Sequence, residues 1–154
     1  MKIFISHSTK DLKIVEEFKK LVEARGIEAY VAVKDVRPGD VLWDKIERNI
    51  KTSNCLVAIM TRYGSLSRTL ENELGVAKVN KIRIMPIVEE GVNPKGVLEG
   101  IEYVKLDKDH PARTLENVAS YLGRLKKEKE AESNFIGILL LAGLALFVLM
   151  SRTD

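Results

Sequence analysis

The sequence is poor in the side chains that bind metals and form disulfides. Its 154 residues include one cysteine, Cys55, and two histidines, His7 and His110, and no glutamine. One cysteine excludes an internal disulfide framework, and so few thiol and imidazole groups argue against a Cys/His metal site, so we expect no metal. The absence of glutamine beside abundant Lys, Glu and Arg is typical of a heat-adapted source.

Several sequence fingerprints are also missing. No G-x-G-x-x-G follows the first predicted strand, and neither a G-x-x-x-x-G-K-[ST] loop nor a G-x-S-x-G elbow occurs. The acidic cluster that a response-regulator receiver requires after its first strand is replaced by Ser6-His7-Ser8. The net charge is only +3, with mixed signs, which argues against a dedicated nucleic-acid binder.

One long uncharged run stands apart from the charged remainder of the chain. Residues 135–150 (FIGILLLAGLALFVLM) are apolar on every face of a helix, whereas a buried core helix would be amphipathic. As a helix they span about 24 Å, and the flanking residues extend this toward the roughly 30 Å of a bilayer core. We therefore expect a single-pass membrane anchor in the lipid bilayer.

Charge flanking this run predicts its orientation. Basic residues precede it at Arg124, Lys126, Lys127 and Lys129, and only Arg152 follows. The positive-inside rule then places the N-terminal domain in the cytoplasm. The expected organisation is a folded domain at 1–126, a charged connector at 127–134, the membrane helix at 135–150 and a short tail at 151–154.

Hydrophobic periodicity in the folded domain alternates between strand and helix. Strands are predicted at 2–6, 28–33, 55–60, 82–88 and about 101–106, and helices begin near Leu12, Leu42, Leu70 and Ala112. Asp11 is expected to cap the first helix, and Pro86 indicates an irregular or edge position in the fourth strand. Five alternations predict an α/β fold with a flavodoxin-like, doubly wound five-stranded parallel sheet, which binds ligands at the carboxyl ends of its strands.

Four segments, taken in order, resemble the Toll/interleukin-1 receptor (TIR) domain family of the prokaryotic type. Residues 3–11 (IFISHSTKD) are similar to its first box, and residues 37–40 (RPGD) to the loop after its second strand. Residues 60–77 (MTRYGSLSRTLENELGVA) resemble its Ser-x-Trp-Cys-x-x-Glu-Leu segment, with Ser67 six residues before Glu73 and Thr69-Leu70 in place of Trp-Cys. Residues 84–88 (IMPIV) resemble its fourth strand.

The resemblance implies one of two roles, in defence or signalling. Many TIR domains cleave NAD at the ribosyl–nicotinamide bond, so NAD would be a substrate and not a cofactor; others are non-catalytic scaffolds that bind partner proteins. A nucleoside deoxyribosyl-transferring enzyme, with a related sheet and a glutamate, is a more distant alternative. On the enzyme interpretation Glu73 is the catalytic residue, because a carboxylate stabilises an oxocarbenium-like ribosyl cation. The alternative for Glu73 is a solvated helix residue paired with Lys78.

The same resemblance suggests substrate-binding residues, each with a structural alternative. Ser6 and His7 end the first strand, although His7 could instead bond its own turn. Ser67 could bind a ribose hydroxyl or cap the helix that carries Glu73, and Arg37 could bind phosphates or be solvated. Two aromatic residues could stack on a ring, Trp43 and Tyr63, and the structural alternative for Trp43 is semi-buried packing beside Leu42.

Association between copies is the last expectation. In the family, active sites are often completed across an assembly by the loop after the second strand. Here that interface loop is Arg37, Pro38, Gly39 and Asp40, and Asp40 could also cap the second helix. A homo-oligomer through TIR–TIR contacts is therefore expected, and tethering to a membrane would raise its effective concentration.

Overall fold

The computed structural model describes the backbone of residues 1–31, 42–63 and 68–150, and the side chains of these residues as far as 135. Strands and helices alternate along it. The strands are β1 (Lys2–Ser6), β2 (Glu28–Val31), β3 (Cys55–Met60), β4 (Arg83–Glu89) and β5 (Val104–Leu106). The helices are α1 (Leu12–Glu23), α2 (Leu42–Lys51), α3 (Arg68–Val79) and α4 (Pro111–Met150), with short 3₁₀ turns at Thr9–Asp11 and Gly96–Leu98.

The five strands form one parallel sheet in the order β2-β1-β3-β4-β5. The predicted doubly wound, five-stranded α/β fold is confirmed. The chain moves outward from β1 to β2 and then returns past β1 to β3, so the strand order reverses between β1 and β3. Ligands of such sheets bind in the crevice outside the carboxyl ends of the strands at this reversal.

Alternating side chains along each strand divide the core into two layers. On one face Ile3 and Ile5 of β1 pack in a cluster with residues of α1 and α4, and on the other Phe4 packs in a cluster with residues of α2 and α3. The central strand β3 is buried at all six positions, as its uninterrupted apolar sequence predicts for a strand covered on both faces. This alternation also decides on which side of the sheet each polar residue at the carboxyl edge lies.

The residues of helix α1 explain why it forms and where it ends. Its buried residues Val15, Phe18 and Val22 recur at helical spacing, and at Gly26 the chain adopts φ +69°, which glycine tolerates best. Asp11 occupies the N-cap position, but its side chain makes no capping hydrogen bond, so the expected capping role is wrong. Instead the Ser8 side chain accepts a hydrogen bond from the Lys10 amide in the preceding 3₁₀ turn.

One further expectation differs from the structure. Pro86 was expected to mark an edge or an irregularity, but β4 lies between β3 and β5 and Pro86 pairs in register with Ala58. The proline is tolerated because β5 pairs with β4 only from Ile87 onward, so a missing amide on that side removes no ladder hydrogen bond. The charged segment 127–134, predicted as a connector, is helical and belongs to α4.

Helix α4 extends to Met150, through the apolar run that the sequence predicts as a membrane span. Within the described part of the chain, no helix has the length and apolarity needed to cross a membrane. The side chains from residue 136 onward lie outside the description, as does the predicted tail at 151–154.

Burial makes the single thiol unreactive in the folded chain. Cys55 is 2% exposed at the start of β3, and burial raises the pKa of its thiol to about 11, against a smaller opposing effect of the Arg83 charge. Because only the thiolate attacks disulfide reagents, we expect the native protein to react slowly with a chromogenic disulfide at pH 8 and quickly in denaturant. Native labelling as fast as denatured labelling would contradict this burial.

Candidate functional site

Two consecutive polar residues end the first strand. Ser6 is fully buried and His7 is 3% exposed, at the carboxyl end of β1 beside the reversal point. Ser6 follows Phe4 by two positions, so strand alternation directs its side chain to the same face of the sheet, toward α2 and α3. A fully buried hydroxyl requires a partner in the protein, and α3 supplies one.

Glu73 of α3 is that partner. The Ser6 hydroxyl donates a hydrogen bond to Glu73 Oε2, and Glu73 is only 1% exposed. Its burial follows from its position on the helix, since Leu70, Leu74 and Ala77 are the buried residues around it. The alternative that Glu73 is a solvated residue paired with Lys78 is therefore wrong, because its carboxylate faces the sheet.

A tyrosine beside this pair was missed by the sequence analysis. Tyr30 of β2 stands opposite Phe4 in the parallel register and stacks on it, with ring centroids 5.5 Å apart. Burial, and secondarily the negative charge of Glu73, raise the pKa of Tyr30. Its phenol therefore stays protonated as a potential hydrogen-bond donor. One sequence signal could have identified Tyr30: it is an aromatic residue on β2, and β2 pairs directly with β1.

The remaining sequence-predicted site residues are less closely grouped. Trp43 lies in the first turn of α2 and is 39% exposed, which fits semi-buried packing as well as ring stacking. Tyr63 follows β3, is 66% exposed, and has the Arg62 guanidinium 5.9 Å from its ring centroid. Tyr63 lines a cavity with residues of α1, β4 and β5, and Glu73 is not among the residues of that cavity. Ser67 and the predicted interface loop, Arg37, Pro38, Gly39 and Asp40, lie outside the described residues.

Among residues 1–31, 42–63 and 68–135, no group of three or more His, Cys, Asp or Glu side chains is placed to hold a metal ion. The geometry supplies a buried carboxylate fixed by a serine hydroxyl, with the phenol of Tyr30 near it. Such a group can stabilise a developing positive charge or accept a hydrogen bond from a ligand hydroxyl.

Comparison with known proteins extends this description. The family model of the TIR domain matches residues 3–120. Among curated proteins no match is found.

The solved structures that share the fold are distant in sequence. The TIR domain of the Toll-related receptor TRR-2 from Hydra magnipapillata is 20% identical, with a TM-score of 0.60 over 75% of this chain and 93% of its own. The CMP N-glycosidase BcmB from Clostridium botulinum is 19% identical, with a TM-score of 0.62 over 79% of this chain and 99% of its own. The RPS4 and RRS1 TIR domain heterodimer is 15% identical, with a TM-score of 0.57 over 83% and 97%.

These structures come from an animal as well as a bacterium, so the prokaryotic type remains a prediction. The family match covers most of the chain, and the TIR structures share its sheet and helices. The chain belongs to the TIR domain family.

Proposed function

We propose that this protein cleaves NAD at the bond between the ribose and nicotinamide, with Glu73 as the catalytic carboxylate. The observation that carries the proposal is the buried Glu73 held by the Ser6 hydroxyl at the carboxyl edge of the sheet. A carboxylate removed from water costs free energy, and a structural role alone gives little reason to keep one there. Unusual buried ionisable groups at a ligand-binding edge are characteristic of functional sites.

The chemistry of the bond suits a site with one carboxylate. When the C–N bond breaks, its electron pair goes to the nicotinamide ring, which leaves as a neutral molecule, and the ribose carbon becomes cationic. A fixed negative charge nearby stabilises that cation, as in glycosidases. Water then attacks the ribose carbon and loses a proton, giving ADP-ribose; attack by an internal nitrogen would give a cyclic product. No strong general acid is required for this leaving group.

The other predicted substrate-binding residues take supporting roles in this proposal. Ser6 fixes the carboxylate, and His7 follows Ser6 in sequence at the end of β1. Ser67 is proposed to bind a ribose hydroxyl and Arg37 a phosphate, and Trp43 and Tyr63 are the proposed stacking platforms. Tyr63 also lines a cavity whose lining does not include Glu73.

The comparisons support N-glycosidic chemistry in this fold. BcmB is a CMP N-glycosidase, and it cleaves the same class of bond between a ribose carbon and a ring nitrogen. A neutral pyrimidine leaving group needs protonation, which the cationic nicotinamide of NAD does not. We therefore propose NAD before CMP, and CMP and free nucleosides become comparison substrates in the test.

Self-association is proposed as the means of activation. The RPS4 and RRS1 TIR domains form a heterodimer, so domains of this fold can pair with one another. We propose that copies of this chain associate through the loop Arg37, Pro38, Gly39 and Asp40, and that clustering completes the site. The rival is a non-catalytic TIR scaffold in defence or signalling, which would use the same contacts to recruit partners.

Replacement of Glu73 tests the catalytic proposal. The full chain, clustered on liposomes, is incubated with NAD, CMP or a free nucleoside, and release of the free base is followed. We expect nicotinamide release from NAD, reduced at least about 100-fold in Glu73→Gln because the neutral amide cannot stabilise the ribosyl cation. Glu71→Gln is the matched control, since Glu71 is an exposed glutamate on the same helix, and it should retain wild-type activity.

The outcomes separate the candidate functions. No release by clustered wild-type protein, or equal rates in wild type and Glu73→Gln, would remove the enzyme and favour the scaffold. Base release from nucleosides but not from NAD would favour the deoxyribosyl-transferring alternative.

We further propose that the apolar run at 135–150 anchors the protein in a membrane, with the TIR domain in the cytoplasm. The support is the uncharged sequence and the basic residues before it. The full chain should sediment with membranes and resist extraction by alkaline carbonate, whereas a variant ending at residue 134 should be released. Full-length protein in the carbonate supernatant would contradict the anchor.

A further inference from the structure

Tyr30 of β2 lies beside the carboxylate and the serine of the site. It stands opposite Phe4 in the parallel register of β1 and β2, and the two rings stack with centroids 5.5 Å apart and an interplanar angle of 30°. Both rings belong to the core layer of α2 and α3. Because Ser6 follows Phe4 by two positions, its hydroxyl lies on the same face of the sheet as the Tyr30 ring, and so does its partner Glu73.

The phenol of Tyr30 and the carboxylate of Glu73 are close neighbours. Ser6 lies roughly 6.6 Å beyond Phe4 along β1, and adjacent strands are about 4.8 Å apart, so Tyr30 and Ser6 are diagonal neighbours on one face of the sheet. Burial, and secondarily the negative charge of Glu73, raise the pKa of Tyr30. A charge acts appreciably on a second group only over a short distance, so this effect indicates that the carboxylate is near the phenol. Glu73 acts on the phenol through its charge and not through a hydrogen bond, so the phenol proton is not committed to it.

The Tyr30 hydroxyl is a hydrogen-bond donor that the described residues leave without a partner. Its raised pKa keeps the proton in place at neutral pH. Tyr30 is half-buried, and the hydroxyls of buried tyrosines usually bond to a partner. The stack on Phe4 requires only a ring, which phenylalanine would supply equally well. Packing therefore does not explain the hydroxyl, and a ligand at the site of Glu73 would.

A carboxylate and a phenol placed together suit a sugar hydroxyl, because a hydroxyl donates one hydrogen bond and accepts others. Glu73 can accept the proton of such a hydroxyl, since a carboxylate has about four acceptor positions and Ser6 uses one of them. Tyr30 can donate to the oxygen of the same hydroxyl. In NAD the hydroxyl next to the breaking bond is the 2′-hydroxyl, on the carbon adjacent to the one that becomes cationic. A carboxylate that stabilises this cation is therefore also near the 2′-hydroxyl.

We propose that Tyr30 determines the sugar specificity of the site: its hydroxyl donates a hydrogen bond to the ribose 2′-hydroxyl, which in turn donates to Glu73. This inference rests on the proposed function, since it concerns the same site, and it extends that function to a substrate class, ribosides and not 2′-deoxyribosides. A site built to bond a substrate hydroxyl rejects the analogue that lacks it, because the polar groups of the site then lose their bonds. The deoxyribosyl-transferring alternative requires the opposite preference.

Removing one hydroxyl from the protein and one from the ligand tests this contact. Dissociation constants are measured by calorimetry on the full chain, clustered on liposomes, for ADP-ribose and for its analogue that lacks the 2-hydroxyl of the terminal ribose. We expect wild type to bind ADP-ribose at least about tenfold more tightly, because the analogue makes neither of the two bonds. In Tyr30→Phe this preference should shrink by about fivefold, the effect of one hydrogen bond. A wild type without the preference, or an equal preference in Tyr30→Phe, would overturn the proposal.

A matched control separates the contact from a general effect of losing a phenol. Tyr30→Phe keeps a ring to stack on Phe4 and removes only the hydroxyl. Tyr121→Phe makes the same change on α4, which packs on the opposite face of the sheet, where the Tyr121 hydroxyl accepts a 3.4 Å hydrogen bond from Arg83. The preference for ADP-ribose should be unchanged in Tyr121→Phe. An equal loss of preference in the two variants would contradict a specific role for Tyr30.

A measurement on the wild type covers the case in which Tyr30→Phe fails to fold, as judged by its circular dichroism. With tyrosine labelled by ¹³C at Cζ, the Tyr30 signal is assigned by elimination, using Phe variants of Tyr63, Tyr103 and Tyr121. Saturating ADP-ribose should shift this signal more than the 2-deoxy analogue does. A Tyr30 signal that does not move, or the absence of ADP-ribose binding at millimolar concentration, would overturn the contact.

The binding readouts do not require turnover, so the two proposals can fail separately. A ribose preference that depends on Tyr30, in a protein that does not cleave NAD, would support the contact and remove the catalytic role of Glu73. Cleavage of NAD by a protein without this preference would do the reverse.

Discussion

The hydrogen bond from Ser6 to Glu73 is the contact on which the functional account depends. It joins the end of β1 to the middle of α3, two elements 67 residues apart in sequence, at the edge where parallel sheets bind ligands. Leu70 and Leu74 fix the rotation of α3 by burying its inner face, and that rotation turns Glu73 toward the sheet. A carboxylate held in this way is already oriented before a substrate arrives, which is what electrostatic stabilisation of a cation requires.

Strand alternation then explains why the carboxyl edge carries two polar centres and not one. Ser6 continues the face of Phe4, and Thr61 continues the face of Ile59, so neighbouring strands direct polar residues to opposite sides of the sheet. On the first side lies a buried carboxylate with a serine partner, and on the second the buried carboxylate of Asp11, one oxygen of which bonds to Thr61 while the other has no hydrogen-bond partner among the described residues.

Much of this architecture could be predicted from the sequence because the signals are local. Strands β1 and β3 have the predicted bounds, since an apolar run that ends in polar residues defines a buried strand by itself. Glu73 was identified through its place in a family pattern, but its burial depends on how α3 packs. The rotation of α3 about its axis is indicated in the sequence only by the spacing of the apolar residues around Glu73.

The features that could not be predicted from the sequence depend on contacts between residues that are distant in the chain. Tyr30 joins the site only because β2 pairs with β1 in the observed register. Asp11 was expected to be a cap, and only the approach of β3 reveals that it bonds to Thr61 instead. Whether an inner strand tolerates a proline at position 86 depends on where the short β5 begins to pair with β4, and no local pattern in β4 indicates that point.

The central claim is that a carboxylate held by Ser6 performs the cleavage, and the steady-state kinetics of Ser6→Ala test it most directly. With clustered full-length protein and NAD, the account predicts that kcat falls by about tenfold or more, because Glu73 loses a hydrogen bond to its charged group. The KM for NAD should stay within about twofold of the wild type, since the substrate's other contacts remain. A wild-type kcat in folded Ser6→Ala would contradict the account.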